Sequence, residues 1–114
     1  MNFLRRLYSF VQPKPTKYLS DSDWAVEHFP AEQHELAICV VHVLIEYLHV
    51  RLDDIKATTR FIQDLQMDDL EPMEVLTALE AAFAISIPVN ETWNLETVSD
   101  LVQYLHAKVR ADES

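Results

Sequence analysis

Glycine is absent from all 114 residues of the chain. Any turn that needs a positive φ must therefore place another residue there or adopt a different geometry. That constraint disfavours tight β-hairpins, whose two-residue turns lean on glycine, and favours helices joined by irregular loops. The length suits one domain, and a hydrophobic share of 49% suffices for one core if most apolar side chains are buried. The single cysteine, Cys39, excludes an internal disulfide. In its apolar run, Ala-Ile-Cys-Val-Val, it is expected to be a buried, inert thiol, not a nucleophile.

Charge divides the chain. The formal net charge is −10, yet residues 1–20 hold Arg5, Arg6, Lys14 and Lys17 and no acid, giving +4. The remaining 5 basic and 19 acidic residues give −14. An acidic body repels nucleic acid and suits basic protein surfaces. No stretch approaches the roughly 18 continuous apolar residues of a membrane span, and the arginines near the start are not followed by a long apolar region as in a secretory signal. A cytoplasmic monomer is expected.

Hydrophobic spacing organises the rest. Residues 1–30 read as an N-terminal extension, partly basic and amphipathic. Phe3, Leu4, Leu7, Tyr8, Phe10 and Val11 recur at helical spacing before Pro13 and Pro15 stop any helix. This segment can dock on the acidic domain, touch a membrane or stay mobile. Membrane contact through residues 1–11 is disfavoured, because one short amphipathic stretch with few cations binds weakly. The domain itself is expected at 31–110. A first helix spans about 31–49 with Leu36, Val40, Val43, Leu44 and Tyr47 inward, and a long connection over 50–67 is pinned by Val50, Ile55, Phe61 and Leu65. A second helix runs over about 69–84, with Asp68, Asp69, Glu71 and Glu74 at its start and Val75, Leu76, Leu79, Ala82 and Phe83 as its buried stripe. An extended stretch at 85–90 follows, then a short turn near 91–93. A last helix spans 97–110, opened by a Thr97/Asp100 capping box and lined by Val98, Leu101, Val102 and Leu105. Residues 111–114 read as a frayed tail. The fold class is all-α: an irregular bundle of three main helices plus a short one, with a long loop between the first and second.

Residues 61–70, Phe-Ile-Gln-Asp-Leu-Gln-Met-Asp-Asp-Leu, carry a resemblance. They are similar to the acyl carrier protein pattern Phe-x-x-Asp-Leu-Gly-x-Asp-Ser-Leu, which an acidic helix ending in Glu-x-x-Phe follows, here Glu80 to Phe83. Ile87 and Pro88 match the family's Ile-Pro, and the likeness runs without gaps from about Leu36 to Leu105. It implies a carrier-type helical bundle that is not an enzyme. Three departures qualify it. Asp69 stands where the resemblance places the serine that bears phosphopantetheine. A carboxylate there would give a hydrolysable acyl phosphate, so no arm and no other cofactor is expected. His49 and Gln66 stand where the family commonly has glycine. A left-handed backbone at either would cost on the order of 1 kcal/mol, so a local backbone adjustment is expected. Ala81 and Ala82 replace acids common on the recognition helix.

The resemblance thus implies an interaction or regulatory module near fatty acid or polyketide synthesis. It would meet basic patches on partner proteins through Asp68, Asp69, Leu70, Glu71, Met73 and Glu74. Asp69 can also place a fixed charge where the modified serine would hold phosphate at a helix start, or serve only as a good first-turn residue. Two readings of Met67 stay open: a place with Leu70 and Met73 in an exposed apolar strip, or packing within the loop. Two alternatives stay open: a non-covalent fatty-acyl or lipid binder, with Trp93 and Leu101 as side chains that could instead fill its pocket, and a carrier modified at another serine such as Ser86 or Ser99. His42, Glu46 and His49 fall at i, i+4 and i+7, but with no cysteine or second-helix ligand beside them they read as a polar stripe, not a metal site.

Overall fold

The computed structural model describes residues 20–67 and 71–113. Within them lie four α-helices: α1 (Asp21–His28), α2 (His34–Leu48), α3 (Glu71–Phe83) and α4 (Val98–Glu113). Short 3-10 turns at Ala31–Gln33, Leu52–Asp54 and Val89–Thr92 join them. The chain is all-α, with α2 at the centre touching the other three helices. Its apolar residues wrap most of its circumference, with Leu36, Ala37, Val40, Val41, Val43 and Leu44 all buried, so it needs cover on several sides.

Part of that cover comes from the extension. Residues 21–30 supply α1, which Ser20 caps by accepting the Asp23 N–H at 3.2 Å. Pro30 ends it by holding Phe29 extended. Trp24 and Ala25 are fully buried and Phe29 nearly so. The Trp24 indole donates to the Ile55 carbonyl at 2.7 Å, the Phe29 carbonyl lies 2.7 Å from His34 Nε2, and Asp21 pairs with His42. The unit that packs together therefore begins before residue 31.

The long connection is held as the apolar spacing suggests, with Ile55 and Phe61 buried and Val50 and Leu65 packed on the core. It is also stitched to the entrance of α4. Arg60 and Thr97 form an antiparallel bridge, and Phe61 donates to Glu96 at 3.0 Å. Val98 donates to Thr59 at 2.9 Å and Ser99 to Ala57 at 2.8 Å. A helix start leaves its first N–H groups without intrahelical partners. Here the loop carbonyls take those of Val98 and Ser99, and the Thr97 hydroxyl takes that of Asp100 at 3.1 Å. The Asp100 carboxylate accepts in return from Glu96 and Thr97, so the capping box forms and that carboxyl is held below the usual range, chiefly by the Glu96 N–H.

Several expectations need correction. His49, Gln66 and Ala84 all hold left-handed backbone, at φ 57°, 54° and 55°. The chain keeps the geometry and accepts the steric cost instead of adjusting, because each ends or links a packed element. His49 is the αL C-cap of α2, donating its N–H to Ile45 at 3.0 Å, and Ala84 follows the last residue of α3. The last helix extends to Glu113, three residues past its expected end, since nothing in Ala-Asp-Glu breaks a helix. Ala82 is exposed because its methyl does not reach the core from the last turn of α3. Trp93 is 75% exposed and fills no pocket, whereas Leu101 is buried in the core.

Lys108 serves a tertiary contact. The Glu91 carboxylate accepts from the Tyr104 hydroxyl at 2.6 Å and from Lys108 at 3.1 Å, tying the Val89–Thr92 turn to α4. Tyr104 first and Lys108 second hold the Glu91 carboxyl below its ordinary range. Burial and Glu91 raise the Tyr104 hydroxyl, and Glu91 raises Lys108.

Three outcomes are expected. Trp24→Ala should cost about 3–5 kcal/mol in denaturant unfolding, from the lost volume and the orphaned Ile55 carbonyl. Glycine at 49, 66 or 84 should each raise stability by up to about 1 kcal/mol in the same assay, as relief of left-handed strain outweighs the added chain entropy. A carboxyl with a lowered folded-state pKa stabilises fully above its unfolded value and loses that contribution as pH falls through the folded one. A raised tyrosine or lysine stabilises below its unfolded value and loses that contribution as pH rises through the folded one. Thermal midpoints should thus fall from about pH 5 downward and again above about pH 10, and Glu91→Gln should flatten both arms.

Candidate partner-docking site

Helical geometry gives α3 two faces. Val75 and Leu79 are buried and Leu76 and Phe83 half-buried on the inner side. Met73, Glu74, Thr77, Ala78 and Ala81 fall at spacings of three and four residues and share another face. With Tyr47 of α2 they line an open groove of about 440 Å³. Ala78 and Ala81 leave room that larger residues would fill. Met73, 52% exposed, supplies a flexible apolar wall, and exposed Glu74 supplies charge. Glu74 has no ion-pair partner among the described residues.

Of the six residues named for docking, the structure thus brings Met73 and Glu74 together in one groove. Glu71 is the first residue of α3. Asp68, Asp69 and Leu70 lie outside the described residues. Met67 is half-buried against the core and donates its N–H to Phe61 at 3.1 Å, so it belongs to the loop packing and not to an exposed strip. Reading outward from the acids misses Tyr47, Ala78 and Ala81. The i, i+3 and i, i+4 spacing from Met73 and Glu74 was the available signal for the alanines, while Tyr47 comes from another helix and carries none.

Other constellations resolve locally. His42 pairs with Asp21 from outside its own helix, and the described residues hold no group of three or more His, Cys, Asp or Glu side chains able to bind a metal. Cys39 is half-buried, and burial pushes its thiol pKa up, away from the reactive thiolate. A second, wider groove lies between the start of α2, Phe83 and the last turns of α4. It is lined by both signs of charge, with Glu32 and Glu35 facing Arg110 and His106.

Comparison with known proteins gives this arrangement a context. Residues 40–105 match the family model described as a phosphopantetheine attachment site. The chain is 42% identical to an acyl carrier protein of Helicobacter hepaticus over 65 residues, 57% of this chain and 86% of that protein. It is 36% identical to one from Wolinella succinogenes over 66 residues, 58% and 87% of the two chains. It is 38% identical to one from Bdellovibrio bacteriovorus over 72 residues, 63% and 92%. Such proteins are carriers, not enzymes. The chain offers the attached group no serine between Ser22 and Ser86, and Thr77, exposed midway along α3, is the one hydroxyl side chain in residues 60–85. Ser86 lies beyond the end of α3, and the Ser99 hydroxyl on α4 accepts from Gln103 at 2.9 Å. A phosphodiester to phosphopantetheine needs a hydroxyl, and residues 60–76 contain no serine, threonine or tyrosine. By the extent of the matched segment and its identity to these relatives, the chain belongs to the phosphopantetheine-attachment family of acyl carrier proteins.

Proposed function

We propose that this chain is an acyl-carrier-protein-like scaffold that works without a phosphopantetheine arm. It acts as a protein-interaction or regulatory module in the cytoplasm, near fatty acid or polyketide synthesis. The observation that carries this reading is the pairing of a retained carrier fold with Asp69 where the family resemblance places the attachment serine. Asp69 brings a carboxylate to the sequence position where a loaded carrier would hold a phosphate, and helix starts favour either anion.

The module works as a monomer and docks through the start of α3. Asp68, Asp69, Glu71 and Glu74 supply charge, and Leu70 and Met73 supply apolar anchors. Its partners are proteins with basic patches that close over the groove beside Tyr47. Charge speeds encounter and sets orientation, while the buried apolar anchors determine how long the complex lasts. No helix among the described residues is long and apolar enough to cross a membrane.

Two measurements test the reading. Incubation with coenzyme A and a broad-specificity phosphopantetheinyl transferase should leave the mass of the wild type unchanged, while Asp69→Ser should gain one arm. A mass gain by the wild type, at Ser86 or Ser99 or elsewhere, would restore it to the ordinary carriers. A synthetic amphipathic helical peptide of lysines and leucines should bind the wild type, and Met73→Glu with Glu74→Lys should weaken that binding by about tenfold or more, in line with one or two lost anchors. Equal affinity for both would remove the groove from the docking surface.

A further inference from the structure

We propose that the groove between Tyr47 and α3 selects arginine over lysine on a docking partner, seating one guanidinium between the Tyr47 ring and the Glu74 carboxylate. The inference rests on the docking role given to that surface and names the side chain it reads.

The groove holds the parts that such a side chain asks for. Tyr47, half-buried against the core in the last turn of α2, supplies an aromatic wall. Glu74, exposed and without an ion-pair partner among the described residues, supplies the countercharge. Ala78 and then Ala81 follow Glu74 at steps of four and three residues along the same side of α3. Their methyls continue the line that the carboxylate begins and leave room along it for a methylene stem. No lysine, arginine or histidine among the described residues lines this groove. Its volume, about 440 Å³, suits one long side chain from a partner that stays outside, since a whole helix is roughly 10–12 Å across.

Chemistry separates the two cations. Either one neutralises Glu74. A guanidinium is planar and weakly hydrated, so it can stack on an aromatic ring while its fork donates to a carboxylate. An ammonium is a strongly hydrated point charge and gives up more water to reach the same place. Glu74 therefore supplies attraction for both, and Tyr47 supplies the difference between them. The wider groove has no such division, because His106 and Arg110 line it together with Glu32 and Glu35 and meet an arriving cation with both signs. Trp93 is aromatic and exposed, but the acid nearest to it in sequence, Glu91, is already engaged by Tyr104 and Lys108.

The test uses the full chain and two helical peptides of one design, with leucine as the apolar residue and either arginine or lysine at every cationic position. The wild type should bind the arginine peptide about fivefold more tightly than the lysine peptide. Tyr47→Phe should keep that ratio. Tyr47→Leu should bring it to about one while leaving the lysine peptide's affinity within about twofold. Should Tyr47→Leu fail to fold, Ala81→Leu at its exposed site takes its place, filling the room for the stem with the same expected loss of the ratio. A ratio near one in the wild type, or a ratio that survives the substitution in a folded chain, would overturn the inference. The failures are separable. Two peptides bound equally, and both weakened by Glu74→Lys, would keep the docking role and end the arginine preference. If neither peptide binds, the docking role ends, and titrating the isotope-labelled chain with N-acetyl-arginine amide decides the slot. NMR shifts at Tyr47, Ala78 and Ala81 that the lysine amide does not produce would support it, and their absence would end it as well.

Discussion

The backbone seam between residues 57–61 and 96–99 is the constraint on which the rest of the structure depends. It turns a connection of some twenty residues, otherwise expensive to order, into an extension of the entrance of α4. The same bonds satisfy two of the N–H groups that the start of α4 leaves over, so loop and helix are each completed by the other. With the seam in place, Ile55 and Phe61 reach the core. The groove beside Tyr47 lies where α3 is seated against α2 with Ala78 and Ala81 beside the tyrosine.

Much of this was legible in the residues, for identifiable reasons. The inward faces of α2 and α4 follow from 3.6-residue periodicity, and Val98, Leu101, Val102 and Leu105 are all buried. The Thr97/Asp100 box is a local signal and forms as its spacing suggests. What sequence does not carry is partnership across space. The indole of Trp24 finds the Ile55 carbonyl thirty-one positions away, and Glu91 gathers Tyr104 and Lys108 from another element. Trp93 shows the limit from the other side, since a large apolar side chain suggests burial and this one stands in water. Of the groove, Met73 and Glu74 were named from the chain, while Tyr47 came into view only once α2 and α3 lay side by side.

The absence of glycine shows which preferences yield. Among the described residues three positions adopt the left-handed region regardless, borne by histidine, glutamine and alanine. Strain of that kind persists only where surrounding packing over-determines it. At His49 the α2 C-terminus and the buried residues that follow, Leu52 and Ile55, fix the exit angle, so the side chain that is present must tolerate the backbone required of it. Local propensity thus proposes the elements here, and tertiary packing decides the joints.

The position of α1 carries a consequence for how such a chain can be divided. The span matched by the family model begins at residue 40, inside α2 and well beyond Trp24 and Phe29. A fragment cut to that span would start in the middle of the central helix and bare the side of it that the tryptophan shields. The matched span and the packed unit therefore do not coincide in this protein, since the first helix, with Trp24 and Ala25 fully buried, lies wholly before the span.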